Sequence, residues 1–317
     1  MDARELSRLS KASRWTWKKS FHKYWPMYLL LIPGVTWFIL MKYVPMAGVL
    51  IAFKNYKPLS GWEGIFTSQW VGLKWFEKFF SSAYSGRLIK NSLIISVLKL
   101  LWGFPAPIVL AIMLNELPFR RYKRVVQSVS YLPHFLSMVI VCSLVRSLTS
   151  IDGGLINAII KMFGGEPIYF LGSSKYFRSI LVVSAIWRNI GWDSIIYLAA
   201  MTSIDPQLYE AATMDGANWF KRIWHITIPA IMPIVSLMLI LRVGELLDAG
   251  FEQVYLLYSP VVYEVGDIID TYVYRQGLED LNYSFATAVS VFKSVIAMVL
   301  VLGTNFVTKK MGQEGIW

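Results

Sequence analysis

The chain has 317 residues, 56% of them hydrophobic and 16% charged, with a formal net charge of +11 and a mean hydropathy of +0.49. A soluble chain carries about a quarter charged residues, so a soluble globular fold is excluded. Apolar runs of about eighteen residues or more can instead cross a hydrocarbon layer of about 30 Å as helices. The period-two alternation of a barrel wall is missing. In a membrane chain, basic excess sets topology and meets anionic headgroups, so it does not call for nucleic acid.

The chain opens on a basic segment, residues 1–24, with Arg4, Arg8, Lys11, Arg14, Lys18, Lys19 and Lys23. The apolar run behind it is too long for a cleaved signal and has no clear small-residue cleavage site. It therefore reads as a retained first span, 25–53, tilted or kinked at Pro33 and Pro45. Residues 54–86 form an aromatic-rich loop with Trp62, Trp70, Trp75 and Phe76, expected to lie against the outer leaflet. Span two covers 87–114 and contains Pro105 and Pro107. A basic loop, 115–124, holds Arg120, Arg121, Lys123 and Arg124, and span three covers 125–148. The sole cysteine, Cys142, lies in this apolar run, so no intrachain disulfide is possible. Turn signals at Asp152-Gly153-Gly154 and Gly164-Gly165 bracket a short surface helix, 155–163.

Span four covers 177–201 and is followed by a polar island, 208–229. Span five covers 229–249, an acidic loop with Glu264, Asp267, Asp270, Glu279 and Asp280 covers 251–283, and span six covers 284–307 ahead of the tail 309–317. The expected fold is all-α: a six-span integral membrane domain over 25–308. An even span count puts both termini on one side. The amino-terminal segment, the 115–124 loop, the island and the tail are basic, while the 251–283 loop is acidic, so the positive-inside rule makes both termini and the island cytoplasmic.

The island has internal order. Asp205-Pro206 is a helix start, with an N-cap followed by proline at the first helical position. A helix over 206–214 then places Leu208, Ala211, Ala212 and Asp215 near one face, where the two alanines permit close approach. Gly216 suits the left-handed residue that closes a helix. A second short helix, 217–225, carries Ala217, Phe220, Ile223 and Trp224 along one stripe. Pattern alone allows two partners for this helix–glycine–helix element, a lipid surface or another protein.

Glu210-Ala211-Ala212, then Asp215-Gly216-Ala217, then Pro229, ahead of the penultimate span, resemble the EAA loop of ATP-binding-cassette importer permeases. The run Phe251-Glu252-Gln253-Val254-Tyr255-Leu256-Leu257-Tyr258, the span layout and the basic amino terminus are similar to carbohydrate-importer permeases, within them the polysaccharide-type (LplB-like) branch. The resemblance implies a type I importer permease fold in a bacterial cytoplasmic membrane, with a coupling loop over 204–229. In that family the helix starting at Pro206 seats in a cleft of a cytoplasmic ATPase. Glu210 would meet polar or basic groups there, Ala211 and Ala212 would permit close packing, and Gly216 would hold the interhelical angle. Asp215 would cap or pair locally, or serve as a turn residue only. Ala217 and Phe220 complete the coupling set. The implied partners are a second, homologous permease forming a heterodimer, an ATPase dimer that binds ATP and Mg, an extracytoplasmic solute-binding lipoprotein and an oligosaccharide. No cofactor is expected on this chain.

Lys99, Arg188, Asp193, Arg242, Glu245, Asp248 and Lys293 lie within expected spans, where ionisable groups face protein or a watery path. Arg242 and Glu245 are spaced to pair on one helix face. Such groups either neutralise one another, sit at a subunit interface or line the path. Sugar sites combine aromatic faces with amides and carboxylates. Trp187, Asn189, Trp192 and Asp193 in span four fit that description, as do Glu252, Gln253 and Tyr255 beyond span five, although an interfacial aromatic belt explains the tryptophans equally well. No Walker loop, H-E-x-x-H or G-x-S-x-G occurs, and His22, His134 and His225 are isolated, so neither catalysis nor a metal is expected. Alternatives are an importer for a non-sugar solute, a stand-alone secondary transporter, which would show inverted repeats, and a membrane enzyme acting on envelope glycans.

Overall fold

A computed structural model describes residues 17–310 together with Gly312, and these residues are built almost wholly of helices. Most of the basic amino-terminal segment and residues 311 and 313–317 of the tail lie outside the described residues. Among the described residues four helical segments are long and apolar enough to cross a membrane: Lys23–Phe53, Ser85–Glu116, Trp219–Gly244 and Tyr283–Lys310. The first begins in α1 (Trp17–Phe38) and passes through a π-turn, Ile39–Tyr43, just before Pro45, then ends in a 3-10 stretch, Ala47–Phe53. Proline removes a helical donor, and the widened turn ahead of it absorbs the defect. This span is almost wholly exposed, so it stands off the rest of the chain.

A short helix, α2 (Lys74–Phe80), follows, ahead of the second span. That span is α3 (Ser85–Gly103) running into α4 (Pro105–Glu116), with Pro105 opening the second piece where its missing N–H costs nothing. The third expected span, 125–148, is corrected by the structure. Arg120, Arg121, Lys123 and Arg124 are not in a loop but open a helix, α5 (Arg120–Tyr131), which runs through a 3-10 turn to Phe135. The chain then bends by 102° into α6 (Met138–Thr149). Leu136 is extended, and Ser137 caps the new helix by accepting from the Ile140 amide. Beyond it come α7 (Leu155–Met162), at the expected surface helix, and α8 (Phe177–Thr202), whose 26 residues carry Arg178, Arg188 and Asp193.

The island contains α9 (Pro206–Met214). A rod follows that begins at Trp219–Arg222, widens through a π-turn at Ile223–Thr227 and continues as α10 (Ile228–Gly244). The separate second helix expected at 217–225 is therefore the first two turns of span five. Span five also ends earlier than expected, at Gly244, and Glu245–Gly250 form turns that Gly250 closes at φ +82°. The acidic loop holds α11 (Phe251–Leu257) and α12 (Ile269–Tyr274), and α13 (Tyr283–Lys310) covers the expected span six.

In lipid the hydrophobic effect does not draw apolar helices together, so packing rests on close approach and polar ties. Gly191 on α8 meets the backbone of α5: a Cβ there would lie 2.1 Å from the Ser130 carbonyl oxygen. The largest core joins α3, α6, α8 and α11 around Ile95, Val145, Phe177, Leu181 and Val254. A second core overturns the view of residues 54–86 as a loop lying on the leaflet. Trp75 and Phe79 of α2 are buried with Phe285 and Val289 of span six, while Trp62 and Trp70 remain exposed. Polar ties pin the acidic loop to the bundle. Asn91 donates to the Glu264 and Asp267 carbonyls, Arg178 donates to Asn91 at 2.8 Å, and Ile269 N–H donates to Ser92 Oγ. Arg275 grips the buried Asp267 with Nη2 at 2.7 Å and 2.9 Å from the two carboxylate oxygens and hydrogen-bonds Tyr258. Burial pushes the Tyr258 hydroxyl up to about 12, with Arg275 pulling the other way.

Candidate coupling element and transport cavity

The island folds as its residues dictate. Asp205 accepts from the Gln207 amide at 2.9 Å, completing the N-cap of α9. At the other end the Gly216 amide donates to the Thr213 carbonyl and the Ala217 amide to the Ala212 carbonyl, both hydrogen bonds of a Schellman closure. Gly216 supplies the left-handed residue, φ +74°, and Asp215 is the C-cap. Asn218 then caps the rod by accepting from the Lys221 amide. Two side-chain bonds strap the pieces together: Tyr209 Oη to Thr227 Oγ1 at 2.9 Å, and Arg222 to Thr213 Oγ1 at 3.2 Å.

Glu210, Ala211, Asp215 and Phe220 are exposed, whereas Ala212 and Ala217 are half-buried at the corner. Leu208, Met214, Phe220 and Trp224 leave a large apolar area uncovered, with Met214 89% exposed. Phe220 and Trp224 stack at 6.3 Å on consecutive turns of the rod. An exposed apolar patch rimmed by charge marks an interaction surface.

The candidates for a transport path divide. Asn189, Asp193, Arg242, Glu245 and Gln253 line one cavity of about 340 Å³ between α3, α8 and α10. Arg242 bridges to Asp193 across helices at 2.6 Å and to Glu245, the residue that caps its own helix, at 3.8 Å. The expected i,i+3 pair is therefore present, but it is the weaker of the two. Gln253 is buried and fully engaged: its amide donates to the Leu181 carbonyl and Ser184 Oγ, and its oxygen accepts from Lys99 Nζ at 2.6 Å. Lys99 also donates to the Ala249 carbonyl at 2.8 Å, so a span-two cation closes the turn that ends span five.

Trp187, Trp192, Glu252 and Tyr255 lie off this cavity. Trp187 and Glu252 are exposed. Trp192 lies flat on His134, ring centroids 4.6 Å apart, and His134 Nδ1 is 3.2 Å from Asn189 Oδ1. Tyr255 belongs to an aromatic group with Phe251 and Tyr274. Sequence reasoning did not single out Ser96 and Tyr197, which also line the cavity. Neither residue type is unusual in a span, so only contact reveals them. The Lys293–Asp270 bridge, 2.6 Å, was half visible as a charge inside a span.

Comparison with known proteins places these features. The family described as binding-protein-dependent transport system inner membrane component matches residues 103–313. The polygalacturonan/rhamnogalacturonan transport system permease protein YteP of Bacillus subtilis (strain 168) is 48% identical over 291 residues, 92% of this chain and 90% of that one. Protein LplB of the same organism is 46% identical over 92% of this chain and 91% of its own length. A chain of the crystal structure of a bacterial alginate ABC transporter, in complex with an alginate pentasaccharide-bound periplasmic protein, is 41% identical. It superposes with a TM-score of 0.87, covering 94% of this chain and 99% of that one. This all-helical membrane chain has the type I importer permease fold and belongs to the family of binding-protein-dependent transport system inner membrane components.

Proposed function

We propose that this chain is one half of the translocation path of an ATP-driven carbohydrate importer and that α9 is its coupling helix. The observation that carries this reading is the island: a short helix closed at both ends, strapped to the base of a span and presenting uncovered apolar side chains beside Glu210. Such an element needs a protein cleft, and in this family the cleft belongs to an ATPase. Glu210, Ala211, Ala212, Asp215, Gly216, Ala217 and Phe220 form the contact and its corner. Relatives named for polygalacturonan/rhamnogalacturonan transport and alginate import support oligosaccharide as the substrate class.

In this reading the chain crosses the membrane six times, using the four apolar segments, the bent pair and α8, with both termini and the island cytoplasmic. A second, homologous permease completes the path, an ATPase dimer binds ATP and Mg below it, and a solute-binding lipoprotein delivers sugar from outside. The cavity holding Asn189, Asp193, Arg242, Glu245 and Gln253 is this chain's share of the path. Its paired charges offer donors and acceptors to sugar hydroxyls without an uncompensated ion in the membrane. ATP changes the partner's shape, and a stiff joint passes that change to two arrangements of the spans.

Reconstitution tests this. The chain, its second permease, the ATPase and the binding protein in proteoliposomes are expected to take up oligosaccharide only with ATP inside and the binding protein outside. Uptake by this chain alone, without an ATPase, would overturn the assignment.

A further inference from the structure

The four cations that open α5 are not used by the fold. Arg120, Arg121 and Arg124 are exposed, and Lys123 is half-buried. Among the described residues none of the four makes an ion pair; the salt bridges there lie on other parts of the chain. The first turn of α5, where the helix dipole favours acidic side chains, has none, and Phe119 at its N-cap supplies no side-chain cap. No acidic group of the described residues therefore offsets this charge by direct contact.

The helix is divided lengthwise. At about 100° per residue the four cations fall within a sector of about 160°, and Tyr122, Val125 and Val129 fall within about 60° on the other side. These three side chains are exposed, as is Phe119 ahead of them. Cations beside an exposed apolar strip with aromatic residues at its start make a helix that rests at a membrane surface, its strip in the acyl region and its cations among headgroups. The location fits. Only Leu117, Pro118 and Phe119 separate α5 from the end of the apolar segment Ser85–Glu116, which puts its first turn at the depth of the headgroups. The helix proposed to dock on a protein, α9, carries Glu210 and no cation. The charge that suits an anionic surface is thus on α5.

We propose that α5 is a binding site for anionic phospholipid, with Arg120, Arg121, Lys123 and Arg124 holding the headgroup phosphate and Tyr122, Val125 and Val129 set in the acyl region. Arginine suits the role because its planar fork donates two parallel hydrogen bonds to phosphate oxygens. Lipid held here steadies one wall of the transport cavity. The far end of α5 bears on α8, where Gly191 leaves no room for a Cβ against the Ser130 carbonyl. His134, in the turn behind α5, lies on Trp192 and reaches Asn189, which lines the cavity.

The test uses the importer assembled with its second permease and ATPase, in proteoliposomes of phosphatidylcholine with and without phosphatidylglycerol. A photoreactive phosphatidylglycerol is expected to label residues 119–132, mapped by mass spectrometry, with competition by unlabelled phosphatidylglycerol and not by phosphatidylcholine. Arg121→Gln and Arg124→Gln are each expected to lower that labelling roughly fivefold, the scale of one cation at an anionic surface, while Arg124→Lys keeps most of it. ATP-driven uptake by the wild type should rise several-fold with phosphatidylglycerol, and less in the two glutamine variants. Wild-type labelling that misses α5, or that is equal with a photoreactive phosphatidylcholine, overturns the site without recourse to any variant. Labelling that appears only once the ATPase or the second permease is left out assigns this face to a protein and also overturns it, as does unchanged labelling in both glutamine variants. Labelling of α5 with uptake indifferent to phosphatidylglycerol overturns the link to the cavity. The labelling is read whatever solute is carried, so the site and the carbohydrate reading fail separately.

Discussion

Replacing Gly216 separates a rigid joint from a passive linker. Its φ of +74° is left-handed, and a Cβ built there meets nothing within 4 Å. Side-chain bulk is therefore irrelevant and the cost is purely backbone. Alanine in that conformation costs about 1–2 kcal/mol, or roughly a five- to thirtyfold drop in the population of the closed corner. Asparagine tolerates the region better and should cost less. Proline is a different perturbation: its ring fixes φ near −65°, which the corner cannot accept. It also deletes the Gly216 hydrogen bond to Thr213 and pushes Asp215, now at φ −75° and ψ 3°, toward extended backbone. Its cost should reach roughly 3 kcal/mol or more. The expected order of uptake in proteoliposomes is therefore wild type, Gly216→Asn, Gly216→Ala, then Gly216→Pro near background, with membrane insertion equal in all four. Wild-type uptake by the proline variant would refute coupling through this corner.

Other substitutions probe separate parts of the chain. Glu210→Arg, on the exposed face of α9, should reduce recovery of the ATPase in a pull-down several-fold while the permease pair still assembles; unchanged recovery removes Glu210 from the contact. Gly191→Ala drives a Cβ to 2.1 Å from the Ser130 carbonyl oxygen, backbone against helix, so α5 and α8 must separate by more than an ångström. A cost of about 1–3 kcal/mol should appear as a lowered melting temperature in detergent, and an unshifted melting curve contradicts the close packing. Lys99→Met strands the Gln253 and Ala249 oxygens and should destabilise by about 1–3 kcal/mol, read by the same melting assay. For Arg242 and Asp193, exchanging the two residues should restore uptake lost in either single reversal, whereas failure of the exchange would mean that each acts in its own place.

Much of the island was legible because its determinants are local. Asp205-Pro206, the alanines and Gly216 act within a few residues, and cap, helix and left-handed closure all follow from them. Four apolar membrane-length segments were legible for the same reason, since an apolar run needs no partner to be recognised. The bend at Leu136–Ser137 escaped because hydropathy continues through it, although Pro133 and the capping potential of Ser137 were local traces. Burial of Trp75 and Phe79 escaped because aromatic residues suit both an interface and a core, and only their contact with Phe285 decides. The cavity was half legible. Charges inside spans flagged Lys99, Asp193 and Arg242, but their partners lie on other helices, with Ala249 150 residues from Lys99. Tryptophan was a poor guide: Trp187 and Trp192 turn away from the cavity that Asn189 and Asp193 line.

The continuity of the rod from Trp219 to Gly244 has a mechanical meaning. Only Ala217 and Asn218 separate the corner at Gly216 from the rod, so any movement of α9 would act on a lever 26 residues long. At 1.5 Å per residue that lever is about 39 Å, and a tilt of about 5° about its base moves the far end by about 3 Å. That far end reaches Arg242, which holds Asp193 at 2.6 Å. A displacement of that size exceeds the reach of the bridge. A small swing at the α9 end of the rod is thus enough to break or make the charge contact that links α8 and α10 across the cavity.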